Sequence, residues 1–383
     1  MKKIIIITDY YLPGYKAGGP PRTISNLISN LSSIYDFWII TKDRDLGDLN
    51  KYDSINTGVW SRSNNSNIFY VDVKNWNPIY IRNILNNTVY DLLYLNSFFS
   101  PISSFSILIM MQLGLIRNNS ILIAPRGQFS TSALTFNRYF KLFYIFLFKN
   151  VFQFINIFWQ ASSYKERNDI LSVFKNISKE RIFIAPNMVE NKILDLNFVD
   201  FNTNRQLKLV FFSRISPMKN LIFLLNVLKN ISCDICLDII GPIEDLKYFN
   251  SVLDIKFSLP KNITVNVLNA ISPRFVMNTL SKYDLFVLPT LGENFGQAIF
   301  ESLKSGTPVL ISDNTPWIHQ NDGSITVLRL EINLWINEIE KFSMLDARGL
   351  YMRKISALNF AKNYIEKSNS KILNEIMFNR ILN

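Results

Sequence analysis

Two glutamates eight positions apart, Glu293 and Glu301, stand in the segment LPTLGENFGQAIFESLKSGTPVLIS. The apolar run over 285–289 reads as a strand, and the loop after it holds Gly292, Glu293 and Gly296. A helix is expected over about 295–305, stopped by Gly306, since glycine commonly ends helices. At about 1.5 Å of rise per residue, the helical part of the separation spans roughly 8 Å. That is about the reach of a diphosphate between two sugars, so one carboxylate could hold a donor sugar and the other a ribose. The flanking glycines allow backbone N–H groups to approach a ligand, and the helix start favours anionic oxygens. Spacing alone favours the blander alternative, a loop acid followed by a solvated helical glutamate.

A second segment, KLVFFSRISPMKNLIFLLNVL, runs from a buried strand over 207–213 through Arg214 into a helix. Ser216 reads as its N-cap and Pro217 as its first helical residue. Lys219 then falls in the first turn, where the helix dipole disfavours a cation by some tenths of a kcal/mol. Arg214 adds a further positive charge nearby. A bound diphosphate would compensate both, and local rules broken without compensation tend to mark functional sites. Surface cations paired with nearby acids are the competing reading. A third segment, ITDYYLPGYKAGGPPRTISNLI, places Gly18 and Gly19 before a helix opening with Pro20 and Pro21. Paired glycines permit close backbone approach to a ligand, although a plain turn fits equally well. The G-x-G-x-x-G fingerprint is absent, which disfavours a dinucleotide cofactor.

The elements that must position these residues alternate between strand and helix, the pattern of parallel sheets covered by helices. A length of 383 residues, nearly half of them hydrophobic, suits two α/β domains of similar size. Strands are expected at 4–8, 37–41, 68–71, 92–95, 121–124, 155–160 and 183–186. A second series follows at 207–213, 235–241, 263–266, 285–289 and 308–312. Helices include 21–31, 103–115, 138–148 and 221–228, with a C-terminal helical run over 358–382. The domain boundary belongs near 187–205. Each motif above follows a strand, where doubly wound sheets bind ligands.

Net charge is +11 and the pI about 9.4, so anionic partners are favoured. No Lys/Arg-rich tract accompanies this charge, which ranks nucleic acid last. The apolar run over 142–158 is interrupted by Lys149, Asn150, Gln153 and Asn156, so no transmembrane helix is expected. The aromatic stretch RYFKLFYIFLFKNVFQFINIFW allows interfacial binding to an anionic membrane, with Arg138, Lys141 and Lys149 toward headgroups, or a buried helix and core strand. Cys233 and Cys236 read as strand cysteines of a reducing compartment, and His319 as a loop residue. One histidine and scattered aspartates form no ligand cluster, so no metal is expected.

The order of motifs resembles the family 4 retaining glycosyltransferases of the bacterial surface-polysaccharide type. The matching pieces are AGGPPRTISNL, APRGQFSTSAL, APNMV, SRISPMKNL and GENFGQAIFESLKSGTPVLIS, which together span nearly the whole chain. The resemblance implies a GT-B fold, α/β with two Rossmann-like doubly wound domains facing across a cleft. It divides the chain into an acceptor-binding domain over 1–190, on which 361–383 packs back, and a nucleotide-sugar-binding domain over 205–360. By the same resemblance, Glu293 contacts the transferred sugar, Glu301 the nucleotide ribose, and Arg214 and Lys219 the diphosphate. Gly18 or Gly19 lies near the donor phosphate and the acceptor, while Asn294, Phe295, Gly296 and Gln297 line the donor. Many relatives carry a cleft histidine in the amino-terminal domain. Here Arg126 and Gln128 stand in its place, as candidate acceptor or sugar contacts, and Gln160 occupies a second position often held by histidine.

The function implied is retaining transfer of a sugar from a nucleotide-sugar to a glycan acceptor. A lipid-linked oligosaccharide at the cytoplasmic face of the inner membrane, in O-antigen or capsule synthesis, fits that function. The leaving diphosphate would take the acceptor's proton, and Arg214 and Lys219 would stabilise its developing charge without a metal or other cofactor. A nucleotide-sugar epimerase of the same fold and a catalytically silent nucleotide-sugar-binding subunit are the alternatives. The first needs acid–base residues that one histidine supplies poorly.

Overall fold

The computed structural model describes residues 1–63, 65–117, 119–151, 156–195 and 206–383. The chain divides into two units, Met1–Glu190 with Asn369–Asn383, and Asn191–Ser368. The segment expected to pack back on the first domain, 361–383, begins later, at Asn369. Helix Ala347–Lys367 stays with the second unit, and the separate helix Ser370–Leu382 belongs to the first. The C-terminal helical run is therefore two helices, broken at Ser368 and Asn369.

The strands of the first unit are β1 (Lys3–Ile7), β2 (Asp36–Lys42), β3 (Trp60–Ser63), β4 (Ser66–Val71), β5 (Leu92–Leu95), β6 (Ser120–Ile123), β7 (Ile157–Ala161) and β8 (Ile182–Ile184). They form one sheet in the order β3-β4-β2-β1-β5-β6-β7-β8, parallel except where β3 meets β4. The four isoleucines of β1 explain why this strand is central. Side chains alternate across a strand, and a run that is apolar at every position can be buried on both faces. Ile5 and Ile7 enter one core with Leu93, Ile121, Phe98, Phe148 and Trp159. Ile4 and Ile6 enter the opposite core with Ile24, Leu27, Phe37, Tyr94, Met377 and Phe378. Helix Gly19–Leu31 and the C-terminal helix cover that second face through these residues.

Helix Arg138–Val151 divides its side chains between two environments. Tyr144, Ile145 and Phe148 are buried. Tyr139, Leu142, Phe143 and Phe146, spaced as one helical stripe, lie exposed, Tyr139 at 89%. The expected buried helix is present and carries a second, exposed apolar stripe, while Lys141, expected toward headgroups, instead donates to Ala133 O at 2.5 Å. Among the described residues, no helix is long and apolar enough to cross a membrane.

In the second unit, β9 (Leu207–Phe212), β10 (Ile235–Ile240), β11 (Ile263–Leu268), β12 (Leu285–Leu288), β13 (Val309–Ser312) and β14 (Ile325–Leu328) form a parallel sheet. Its order is β11-β10-β9-β12-β13-β14. Winding proceeds outward from β9 to β11 and then restarts on the opposite side of β9 with β12. Loops leaving neighbouring strands in opposite directions open a crevice at such a switch point. The edge strand β14, only four residues long, was not expected. It places His319 in the loop before this last strand, and the Val327 N–H donates to His319 Nδ1 at 3.4 Å.

Phe378 is fully buried, with ring centroids of Tyr35 at 5.2 Å and of Phe37 and Tyr94 at 6.2 Å. Phe378→Ala should cost about 3–5 kcal/mol of the first unit's stability, read from urea unfolding of the full chain. An unfolding curve matching the parent's would show that the C-terminal helix contributes nothing to that core.

Candidate active site

The switch point of the second sheet is flanked by the loops leaving β9 and β12. The β9 loop is first knitted to the loop leaving β10: the Ile215 N–H donates to Pro242 O at 2.8 Å and the Glu244 N–H to Ile215 O at 3.1 Å. Ser216 then opens a single 3-10 turn, Pro217–Lys219, without using its hydroxyl as a cap. Asn220 turns left-handed (φ 56), and the α-helix Leu221–Leu228 begins only after it. Lys219 is thus not inside the first α-helical turn, as the Ser-Pro signature suggested, but at the end of the turn leading to it. The side chain of Lys219 is nearly buried there.

The loop after β12 is fixed from several sides. The carbonyl of Met218 accepts from the Leu291 N–H at 2.8 Å and from the Thr290 hydroxyl at 3.1 Å, so it staples this loop to the β9 loop. The Ser312 hydroxyl donates to Thr290 O at 2.5 Å, and the Glu293 N–H to Asn314 O at 3.1 Å. Gly296 caps the following helix with φ 78, and a Cβ there would lie 2.6 Å from Ile299 Cδ1. Glycine alone meets both demands. The helix Gln297–Lys304 therefore starts two residues later than expected. Four steps of rise separate Gln297 from Glu301, about 6 Å rather than 8 Å.

Within this frame the structure joins two of the candidate residues directly. Lys219 Nζ and Glu293 Oε1 form an ion pair, their side chains 10% and 15% exposed. Arg214 pairs with Glu244 Oε1 at 2.6 Å in a more exposed setting. Both cations thus have carboxylate partners, the competing arrangement raised from sequence, and one of the partners is itself a candidate. Glu244 was missed by sequence reasoning. Its signal was its place in GPIEDL, just past the carboxyl end of β10. Glu301 is buried in the helix beyond, so it is not a solvated helical residue. Asn294 and Gln297 flank the loop-to-helix junction. The Phe295 carbonyl accepts from Trp317 Nε1 at 2.6 Å, which commits that oxygen to the fold.

The remaining candidates lie in the first unit. Gly18 is the N-cap of helix Gly19–Leu31, with φ 81 and ψ −134, and Gly19 is its first residue. The loop before them is held by Asp45, whose carboxylate accepts from the N–H groups of Tyr15 at 2.6 Å and Lys16 at 2.9 Å. Gln128 turns inward: its Oε1 accepts from the Phe98 N–H at 2.7 Å, and its Nε2 donates to Ser97 Oγ at 3.0 Å. Arg126 donates to Asn96, Asn187 and Tyr94. Gln160 is buried, bonded to the Tyr94 hydroxyl, to Ala185 O at 2.9 Å and to Asn374 Oδ1 at 3.1 Å. It works as a bracket for the C-terminal helix. Cys233 and Cys236 are free thiols, and burial together with Asp238 pushes the Cys236 thiol pKa up, away from the reactive thiolate.

Two parallel-sheet Rossmann-like domains define the class: the fold is GT-B. Over the whole chain, it is similar to HepE from Anabaena in complex with UDP-glucose (TM-score 0.71, 13% identity, covering 100% of this chain and 99% of that one). Sucrose-phosphate synthase from Thermosynechococcus elongatus is comparably similar (TM-score 0.74, 13% identity, 100% and 99% covered). So is WaaG, a glycosyltransferase involved in lipopolysaccharide biosynthesis (TM-score 0.65, 13% identity, 99% of each chain covered). At such identity these likenesses establish the fold alone. Residues 196–320 match the family model of the group 1 glycosyl transferases, so the second domain carries that family's sequence signature. A sequence search of curated proteins found no significant match.

Removing one member of the Lys219–Glu293 pair should leave the other charge poorly solvated. Lys219→Met and Glu293→Gln should each cost about 1–3 kcal/mol in urea unfolding. The double variant should recover part of the loss, and strictly additive costs would show that the pair carries no coupling.

Proposed function

We propose that this protein is a retaining glycosyltransferase that moves a sugar from a nucleotide-sugar to a glycan acceptor. The observation that carries the reading is the meeting of Lys219 and Glu293 at the β9/β12 switch point, within the residues matched by the group 1 family model. In this reading the donor diphosphate replaces Glu293 as the partner of Lys219, and Arg214 supplies the second positive charge. Glu293, so released, turns its carboxylate to the hydroxyls of the transferred sugar, while Glu301 takes the ribose. As the glycosidic bond to the donor breaks, negative charge grows on the leaving diphosphate. The two cations stabilise that charge, Lys219 from a largely dry position, where such stabilisation is strongest, and Arg214 from a more exposed one. No separate base is needed if the leaving phosphate accepts the acceptor's proton, and no metal is needed if the cationic pair neutralises the diphosphate.

The acceptor proposed is a lipid-linked oligosaccharide of surface-polysaccharide synthesis, met at the cytoplasmic face of the membrane. Two features support it: a net charge of +11, and the exposed aromatic stripe of helix Arg138–Val151 with Arg138 and Lys149 at its ends. Such a stripe with basic flanks suits the boundary of an anionic bilayer.

A panel of nucleotide-sugars tests the reading. The wild type should slowly release free sugar from one of them and transfer it when an acceptor is supplied. Lys219→Ala and Arg214→Ala should each lower turnover about a hundredfold or more. Glu301→Ala should mainly raise the donor dissociation constant. Near-normal turnover in both cation variants would end the assignment of the phosphate site.

A further inference from the structure

The first sheet has its own change of winding, between β1 and β5, and the polar cluster beside it plays no part in the proposed donor site. Asn96 directly follows β5, and Arg126 stands three residues past β6. Arg126 holds a left-handed backbone (φ 55), an uncommon state for a residue other than glycine and one that often accompanies function. Its guanidinium donates from Nε to Asn96 Oδ1 at 2.9 Å, from Nη1 to Asn187 Oδ1 at 2.5 Å and from Nη2 to the Tyr94 hydroxyl at 2.5 Å. All three acceptors are neutral, and among the described residues no carboxylate forms an ion pair with it. The acid of the neighbouring helix, Glu166, is buried and already spends both oxygens. Its Oε1 accepts from the Gly127 N–H at 2.5 Å, and its Oε2 from the Ser162 N–H and hydroxyl at 2.7 Å each.

The orientation of Asn96 follows from this geometry. A guanidinium offers only donors, so the amide oxygen must face Arg126 Nε and the amide nitrogen must point elsewhere. That nitrogen, on a residue 5% exposed, has no partner. An unmet buried donor is costly, and in a native protein it calls for an explanation. The unspent hydrogen-bonding capacity of the Arg126–Asn96 pair is mainly donor: N–H groups left over on the guanidinium and the Asn96 amide N–H groups, against one remaining lone pair on Asn96 Oδ1. A hydroxyl, which both donates and accepts, matches such a set poorly, whereas an oxyanion presents only lone pairs and opposes the positive charge.

We propose that Arg126 and Asn96 form a binding site for an oxyanion, a phosphate or carboxylate group of a ligand of the first domain. That this ligand is the sugar acceptor, which would then be a phosphorylated or acidic glycan, rests on the transferase reading. The oxyanion site does not.

The test uses the full chain carrying Arg214→Ala and Lys219→Ala, so that the proposed donor cations cannot take the probe. Inorganic phosphate, acetate and glycerol are titrated by calorimetry. Binding of phosphate or acetate, with glycerol silent, supports the site, and the better of the two anions names its chemistry. Asn96→Asp, nearly isosteric, replaces the unmet donor with an acceptor and gives Arg126 a carboxylate. It should weaken anion binding by about tenfold or more, the scale of one charge-assisted hydrogen bond. Arg126→Lys, checked for folding by circular dichroism, should weaken it as well. No anion binding, binding indifferent to both substitutions, or glycerol binding as strongly as the anions would overturn the proposal; in the first case water alone fills the cluster. Failure of the donor assignment would appear separately, as undiminished UDP binding by the Arg214→Ala/Lys219→Ala chain.

Discussion

The carbonyl oxygen of Met218 is the point on which the candidate active site turns. By accepting from Leu291 and Thr290, it fixes the loop after β9 to the loop after β12, on either side of the switch in winding. Lys219 is the next residue after that carbonyl, and Glu293 lies two residues past Leu291. Their encounter is therefore dictated by the backbone and does not depend on two long side chains finding each other. Exposed ion pairs hold little energy because ordering both side chains offsets the attraction. Here much of that ordering is supplied in advance by main-chain bonds. The charges are also mostly withdrawn from water, so each requires a partner.

The same constraint explains the irregular backbone around the site. Lys219 reaches the crevice because Asn220 turns left-handed and delays the helix, and Gly296 does likewise before the helix that carries Glu301. The parallel sheet beneath is regular and apolar, and the departures from regularity gather at its carboxyl edge. A rigid, buried sheet with polar loops at one end is the arrangement in which loops can be specialised without disturbing the core.

Much of this was legible from the residues. Continuous apolar runs such as IIII and LLYL announced central strands, because burial on both faces leaves no polar position to confuse the period. The strands that escaped notice were β3, whose WSRS is polar, and β14, a four-residue edge strand. Reading Pro217 as the first α-helical residue was four residues early and the helix carrying Glu301 two residues early, since SPMKN and GENFG show the turn residues but not which of them takes positive φ. The candidate glutamates and cations were visible as types and spacing. Their partners were not, because Glu244 comes from a different strand's loop, and only the sheet order brings it beside Arg214. Arg126 was visible as a lone arginine, but its three acceptors are scattered over residues 94–187 and could not be read from spacing.

The first unit is discontinuous in the chain, and this has a consequence for biogenesis. Met377, Phe378 and Ile381 complete the core beneath β1, β2 and β5, yet they are translated only after the whole second unit. When the ribosome has finished the first sheet, one apolar face of it is covered by helix Gly19–Leu31 alone, and it stays so while the whole second unit is made. The second unit meets no such delay, since all its strands and helices are consecutive. Maturation of the amino-terminal unit thus waits until the second unit has been made, and a chain cut short before helix Ser370–Leu382 would carry an incompletely covered core.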